Sequence, residues 1–191
     1  MKKPPHCSEY DELVSISLAL QSEHMRENAA WKDSPFAWIK LRPSRSIGAI
    51  GEKMLACWLT MHDFNVKRSP DSQADRIVED KRVEIKFSTL WENGTYTFQQ
   101  IRNQNYDFMV MLGISPHDAH CWVISKSELM DLHRKGFLPG QHTGRRAADT
   151  AWIKLSPSND NPHFAPFGND LNQALRSISR LTGFQATKIS N

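Results

Sequence analysis

Two rhythms of apolar residues run along this chain and divide it into helical and extended segments. After the capping sequence Ser8-Glu-Tyr-Asp11, Leu13, Ile16, Leu20 and Met25 recur at loosely helical spacing. Ser34 to Arg45 reads as a connector ending in a basic loop. A second helix is expected from Ile47 to His62. There Ile50, Met54, Cys57, Trp58 and Met61 form one stripe, Leu55 and Leu59 flank Glu52 on another side, and Lys53 and Thr60 mark the polar edge. Extended rhythm follows: a first strand over Phe64 to Lys67, a polar loop from Ser69 to Ala74, then two short apolar strands, Arg76-Ile77-Val78 and Val83-Ile85-Phe87. Glu79 to Arg82 form the charged turn between these two.

Asn93-Gly94 marks a turn, and Thr95 to Arg102 carries another strand or the start of a helix. Tyr106 to Gly113 is a continuous apolar run, expected as a buried central strand. A turn from Ser115 to His120 leads to the strand Cys121–Ile124. Ser125 or Ser127 caps a helix through Leu132, and Ala151 to Leu155 is a late strand. Asp170 to Leu181 forms an amphipathic helix with Leu171, Ala174, Leu175, Ile178 and Leu181 on one side and Gly183 as its stop. With no internal repeat and no low-complexity linker, the fold expected is α/β (α+β), a mixed sheet of about five strands flanked by helices.

The 191 residues suit one domain: an N-terminal helical segment (1–46), a core (47–132) and a final part (133–191) with a basic loop, the late strand and the last helix. A charged fraction of 24% fits a soluble protein, and a net charge of +3 is too small to imply a polyanionic partner by itself. Distribution says more. Residues 134–148 hold Lys135, His142, Arg145 and Arg146 and no acid, which suits phosphate contacts or a solvated loop. Cys7, Cys57 and Cys121 are odd in number and form no CxxC pair, against a disulfide framework or zinc ribbon. Acids interrupt the N-terminal apolar run, which is too short to span a membrane, so a cytoplasmic protein is expected.

Chemistry concentrates in the charged hairpin. Strand side chains alternate, so Glu84 and Lys86 share one face and Val83, Ile85 and Phe87 the other. With a four-residue turn, Asp75 lies across from Lys86. Two carboxylates and an ammonium on one face can hold a divalent ion and activate water beside a phosphate. The same residues also fit the wet face of an ordinary antiparallel strand. Glu52 stands away from the evident solvent face of its helix, where a carboxylate needs a partner; a first-turn acid favouring the helix dipole is the alternative. Oxygen ligands from Asp75 and Glu84, with the Ile85 carbonyl, favour Mg2+, or Mn2+, over zinc.

Gly48-Ala-Ile-Gly-Glu52 on a helix, Asp75 at a strand edge, Val83-Glu-Ile-Lys86 on the next strand and Phe98-Gln-Gln-Ile-Arg102 beyond it resemble the PD-(D/E)xK nuclease superfamily, and within it the type II restriction endonucleases. The resemblance covers about Ile47 to Leu129 and implies a restriction-endonuclease-like core. It implies that Asp75 and Glu84 are the main Mg2+ ligands and that Lys86 orients or deprotonates the attacking water. Glu52 would assist the metal site through water or Lys86, and Gln99 or Gln100 would be an auxiliary active-site residue. Pro70-Asp71 also precedes the ExK at a workable distance. Asp75 is preferred because it is contiguous with the strand, whereas Asp71 sits in a Ser/Pro/Asp loop and suits a turn.

The function expected is a Mg2+-dependent endonuclease on double-stranded DNA, a type II restriction enzyme acting as a homodimer, since cutting both strands calls for two centres. The competing expectations are a repair or recombination nuclease and a nuclease-like DNA-binding module without catalysis. Phosphate contacts fall to Arg42, Arg45, Lys67, Arg68, Arg145 and Arg146. Base reading falls to Asn93–Asn105, with Gln99, Gln100, Arg102 and Asn103, or to the basic 134–148 stretch. His117, His120 and Cys121 lack a second ligand pair and read as a polar turn. Without a Gly-rich phosphate loop, nucleotide hydrolysis has no support.

Overall fold

The computed structural model describes residues 8–138 and 151–184. Their elements are α1 (Ser8–Glu27), α2 (Ala37–Lys40), α3 (Ser44–Met61), β1 (Val66–Arg68), β2 (Arg76–Val78), β3 (Lys81–Thr89), β4 (Tyr96–Ile101), β5 (Phe108–Ile114), β6 (Ala119–Ser125), α4 (Lys126–Arg134), β7 (Ala151–Leu155) and α5 (Leu171–Thr182). Five strands form a mixed sheet in the order β1-β2-β3-β5-β6, with β3 and β5 parallel and the other neighbours antiparallel. The expected mixed sheet flanked by helices is present. The late strand β7 is not part of it: β7 pairs with β4 in a separate two-stranded sheet.

The alternation of β3 sorts the core into two layers. Val83 and Ile85 join Phe108, Val110 and Leu112 of β5 under Leu55 and Leu59 of α3 and Ala174, Leu175 and Ile178 of α5, with Phe87 packed against them. On the opposite face, Met109, Met111, Trp122 and Ile124 pack against Tyr96 and Phe98 of β4, Ile153 and Leu155 of β7, and Leu129 of α4. Each fully buried Leu or Ile contributes about 1.5–3 kcal/mol. Glu84 and Lys86 belong to this second face, so the polar side of β3 looks toward β4.

The inward line of α3 is Gly51, Leu55 and Leu59, the side that carries Glu52. Cys57 and Met61 of the predicted stripe are exposed, and Ile50, Met54 and Trp58 are half-buried. Gly51 is required there, because a Cβ would lie 2.0 Å from Cγ of Phe87. The helix also begins earlier than expected. Pro43 is its N-cap with extended ψ (143°), which moves Arg45 from a loop into the first turn.

The terminal signals of the later helices hold. Ser125 and Glu128 form a reciprocal capping box on α4, Asp170 caps α5 through the Gln173 N–H at 2.8 Å, and Gly183 closes α5 at φ 76°. In α1, Leu13, Ile16 and Leu20 are exposed. Among the described residues no helix is long and apolar enough to cross a membrane.

Candidate functional site

The β2–β3 turn is shorter than its charge suggests. Val78 pairs with Lys81, so only Glu79 and Asp80 turn, both at positive φ (46° and 65°). That geometry usually calls for Asn-Gly or Asp-Gly. Here Glu79 is tied back to the chain before β1, its N–H donating to the Asn65 carbonyl at 3.1 Å and its Oε1 accepting from the Asn65 N–H. The shorter turn moves the register by two residues and places Asp75, rather than across from Lys86, beside Glu84. A shift of two preserves the face of every side chain, so the cluster survives the correction.

Asp75 immediately precedes β2 and extends its line along β3. Its N–H donates to the Val83 carbonyl at 3.0 Å, and its Oδ2 accepts the Ile85 N–H at 2.7 Å, replacing the ladder bond that β2 no longer supplies. The N–H and C=O of one strand residue point the same way. The Ile85 carbonyl therefore faces the open flank where the Asp75 carboxylate lies.

Glu84 is buried, and its Oε1 accepts from Lys86 Nζ at 2.8 Å. Burial pushes the Glu84 carboxyl above the usual carboxylate range against the pull of the Lys86 ammonium, and the Asp75 carboxylate adds to the rise. Glu52 reaches the same region from α3, with its Oε1 2.9 Å from Arg76 Nη2. Burial also raises its carboxyl; Arg76 opposes that and Asp75 reinforces it. Asp75 thus exerts its field on two carboxyls, each held by its own cation.

These groups border a cleft of about 1150 Å³. Glu52, Asp75, Ile85, Lys86, Gln99 and Gln100 line it, joined by Arg45, Lys40, Ser44 and Trp91. Glu84 lies beneath Lys86 and is absent from the cleft wall itself. Both glutamines reach the cleft because β4 bulges: Phe98 pairs with Ile153 and Ile101 with Ala151, leaving Gln99 and Gln100 opposite one residue, with Gln100 at φ 55°. A regular strand would have turned one of them away.

Other predicted residues are placed differently. Asp71 accepts from Arg82 Nη2 at 2.5 Å and from the Gln73 N–H at 2.9 Å, which hold its carboxyl below the usual range, and it lies outside the cleft wall. Arg42 stacks over Trp38 at 5.8 Å, away from the wall. Arg68 lies on β1 behind Glu52, and Arg102 and Asn103 are exposed beyond the wall, although the Arg102 charge still acts on Glu84. Gln104 donates to the Ser72 carbonyl at 2.9 Å and so braces a loop. Arg145, Arg146 and His142 lie outside the described residues. The expected turn ends before Ala119: His120 lies within β6, opposite Gly113, and is held by the Tyr96 hydroxyl at 2.8 Å.

Sequence reasoning missed Lys40 and Ser44 as cleft residues and Arg76 as the partner of Glu52. The only signal for Arg76 was its position next to Asp75. Among the described residues no group of three His, Cys, Asp or Glu side chains is close enough to hold a metal ion by itself.

No family model matches the chain, and no curated protein matches its sequence. Among solved structures, the chain is similar to a bacterial homing endonuclease at 14% identity and a TM-score of 0.48, over 74% of this chain and 96% of that one.

Proposed function

We propose that this chain is a Mg2+-dependent endonuclease that hydrolyses phosphodiester bonds of double-stranded DNA, a sequence-specific restriction enzyme of the PD-(D/E)xK type acting as a homodimer. One observation carries the reading: Asp75, Glu84, Ile85 and Lys86 meet where β2 begins, beside a cleft that Glu52 enters from α3. The donor set fits the ion. Mg2+ is held by one or two carboxylates together with waters and substrate phosphate. Asp75, Glu84 and the Ile85 carbonyl would hold it, and Mn2+ would serve in its place. When bound, the ion would neutralise phosphate charge and lower the pKa of a water.

The protein's own groups account for the rest. Lys86 Nζ, anchored on Glu84, would hydrogen-bond the attacking water or a phosphate oxygen and balance developing charge. Glu52, steadied by Arg76, adds a carboxylate that can take up a proton through water. Gln99 and Gln100 present amide donors and acceptors along the wall, and Lys40 and Arg45 offer cations to the backbone. Because β3 is the middle strand of the sheet, Glu84, Ile85 and Lys86 stand on a rigid element, and Asp75, just before β2, is fixed to it through the Ile85 N–H.

The test is digestion of varied plasmids by the purified protein with MgCl2, alongside Asp75→Ala. Discrete, reproducible fragments from the wild type and none from the variant are expected. Cutting that follows DNA structure rather than sequence would favour a repair nuclease. Binding without cutting in Mg2+ or Mn2+ would favour a non-catalytic module. Asp75→Ala cutting at the wild-type rate would overturn the site.

A further inference from the structure

Behind Glu52, α3 and β1 enclose a second groove of about 350 Å³. Lys53, Cys57 and Thr60 line it from α3, Lys67 and Arg68 from β1, and Arg76 from β2; none of its lining residues is acidic. Cations on an edge strand are a common guard against edge-to-edge pairing, and that explains Lys67 and Arg68 alone. It explains neither Lys53 on the facing helix nor Arg76 inside the sheet.

Strand register concentrates the charge further. Arg68 and Arg76 are directly opposed across β1 and β2. Like charges in that relation are destabilising by about 0.2–1 kcal/mol. Glu52 is ion-paired to Arg76, through Nη2, and Arg76 Nε has no acceptor among the described residues. Glu52 also acts on Arg68, which still leaves the four cations in net excess, and a groove so charged attracts an anion. Arg76 also joins the two concavities: it lines this groove while holding Glu52, which lines the main cleft.

We propose that this groove is a second phosphate-binding site, taking the sugar–phosphate backbone of DNA as it leaves the cleft, with Arg76 as the positioning residue between groove and Glu52. The proposal rests on the nuclease reading and adds the path of the substrate. Backbone contacts of this kind fix register without reading sequence, so the groove strengthens binding to every duplex long enough to reach it.

The experiment measures binding of a fluorescent duplex in EDTA, as a function of salt, to wild-type protein and to the triple variant Lys53→Gln, Lys67→Gln, Arg68→Gln. All three side chains are exposed. Each phosphate that is no longer neutralised makes the slope of log K against log salt shallower by about 0.9, so the triple variant should be shallower by about 2.7 and bind at least about 10-fold more weakly at low salt. The single variant Lys53→Gln should be shallower by about 0.9. A charge-matched control, Lys32→Gln, Lys81→Gln, Lys154→Gln, should keep the wild-type slope. An unchanged triple variant, or a control whose slope falls as much, overturns the groove while wild-type cutting leaves the nuclease reading standing. Wild-type protein that neither binds nor cuts DNA overturns the nuclease reading and the groove with it.

Discussion

The two faces of β3 are built from the same nine residues and serve opposite ends. On one, Val83, Ile85 and Phe87 are pressed under α3 closely enough that residue 51 has no room for a side chain. On the other, Glu84 and Lys86 form an ion pair at the edge of a cleft, and Ser88 Oγ accepts the Thr97 N–H at 3.0 Å to tie β3 to β4. The apolar face stabilises without direction, whereas the polar face gains little net stability and commits charges to fixed positions. Packing on one side thus makes charge placement on the other precise enough for chemistry.

The sharpest way to break this division is to cut one face and spare the other. Lys86→Ala should lower cleavage by at least about 100-fold, the usual range for a group handling protons at a reacting centre, while the fold and DNA binding are retained. Normal cutting by this variant would remove Lys86 from the site.

Gly51→Ala reverses the experiment. A helix gains up to about 1 kcal/mol from Gly to Ala. Overpacking against Phe87 costs about 1–3 kcal/mol, so the net effect should be destabilising. Denaturant unfolding at one pH measures it. A stabilised Gly51→Ala protein would show that α3 can slide and that the apolar face is not rigid.

The smallest effect concerns pH. The Glu84 carboxyl is raised in the folded state, chiefly by burial. Its contribution to stability is therefore full below the ordinary carboxylate range and is lost as pH rises through the raised folded value. As pH rises above the ordinary carboxylate range, Glu84→Gln should therefore lose less unfolding free energy than the wild type. Parallel curves for the two proteins would mean that Glu84 ionises as freely folded as unfolded.

Much of this architecture is written locally. Helix ends at Asp170 and Gly183 were legible, and the start of α4 to within Ser125 or Ser127, because capping needs only neighbours in sequence. The strand β5 was legible because a long apolar run has few other uses. Register was harder: four successive charged residues, Glu79 to Arg82, look like one turn, and nothing in Glu79-Asp80 announces the tight geometry that Asn65 stabilises. The bulge at Gln99 and Gln100 has no local mark either, since it arises from pairing with β7, a strand remote in sequence.

By itself the sequence determined that Glu84 and Lys86 share a face of one strand, because the period of two is a property of the backbone. It also marked Asp75 and Glu52 as carboxylates worth following. Only the tertiary structure decided that Asp75 sits beside Glu84, that Asp71 is spent on Arg82, and that Arg76 holds Glu52 from a second, basic groove. Those facts depend on register and on contacts between elements remote in sequence, which no local pattern encodes.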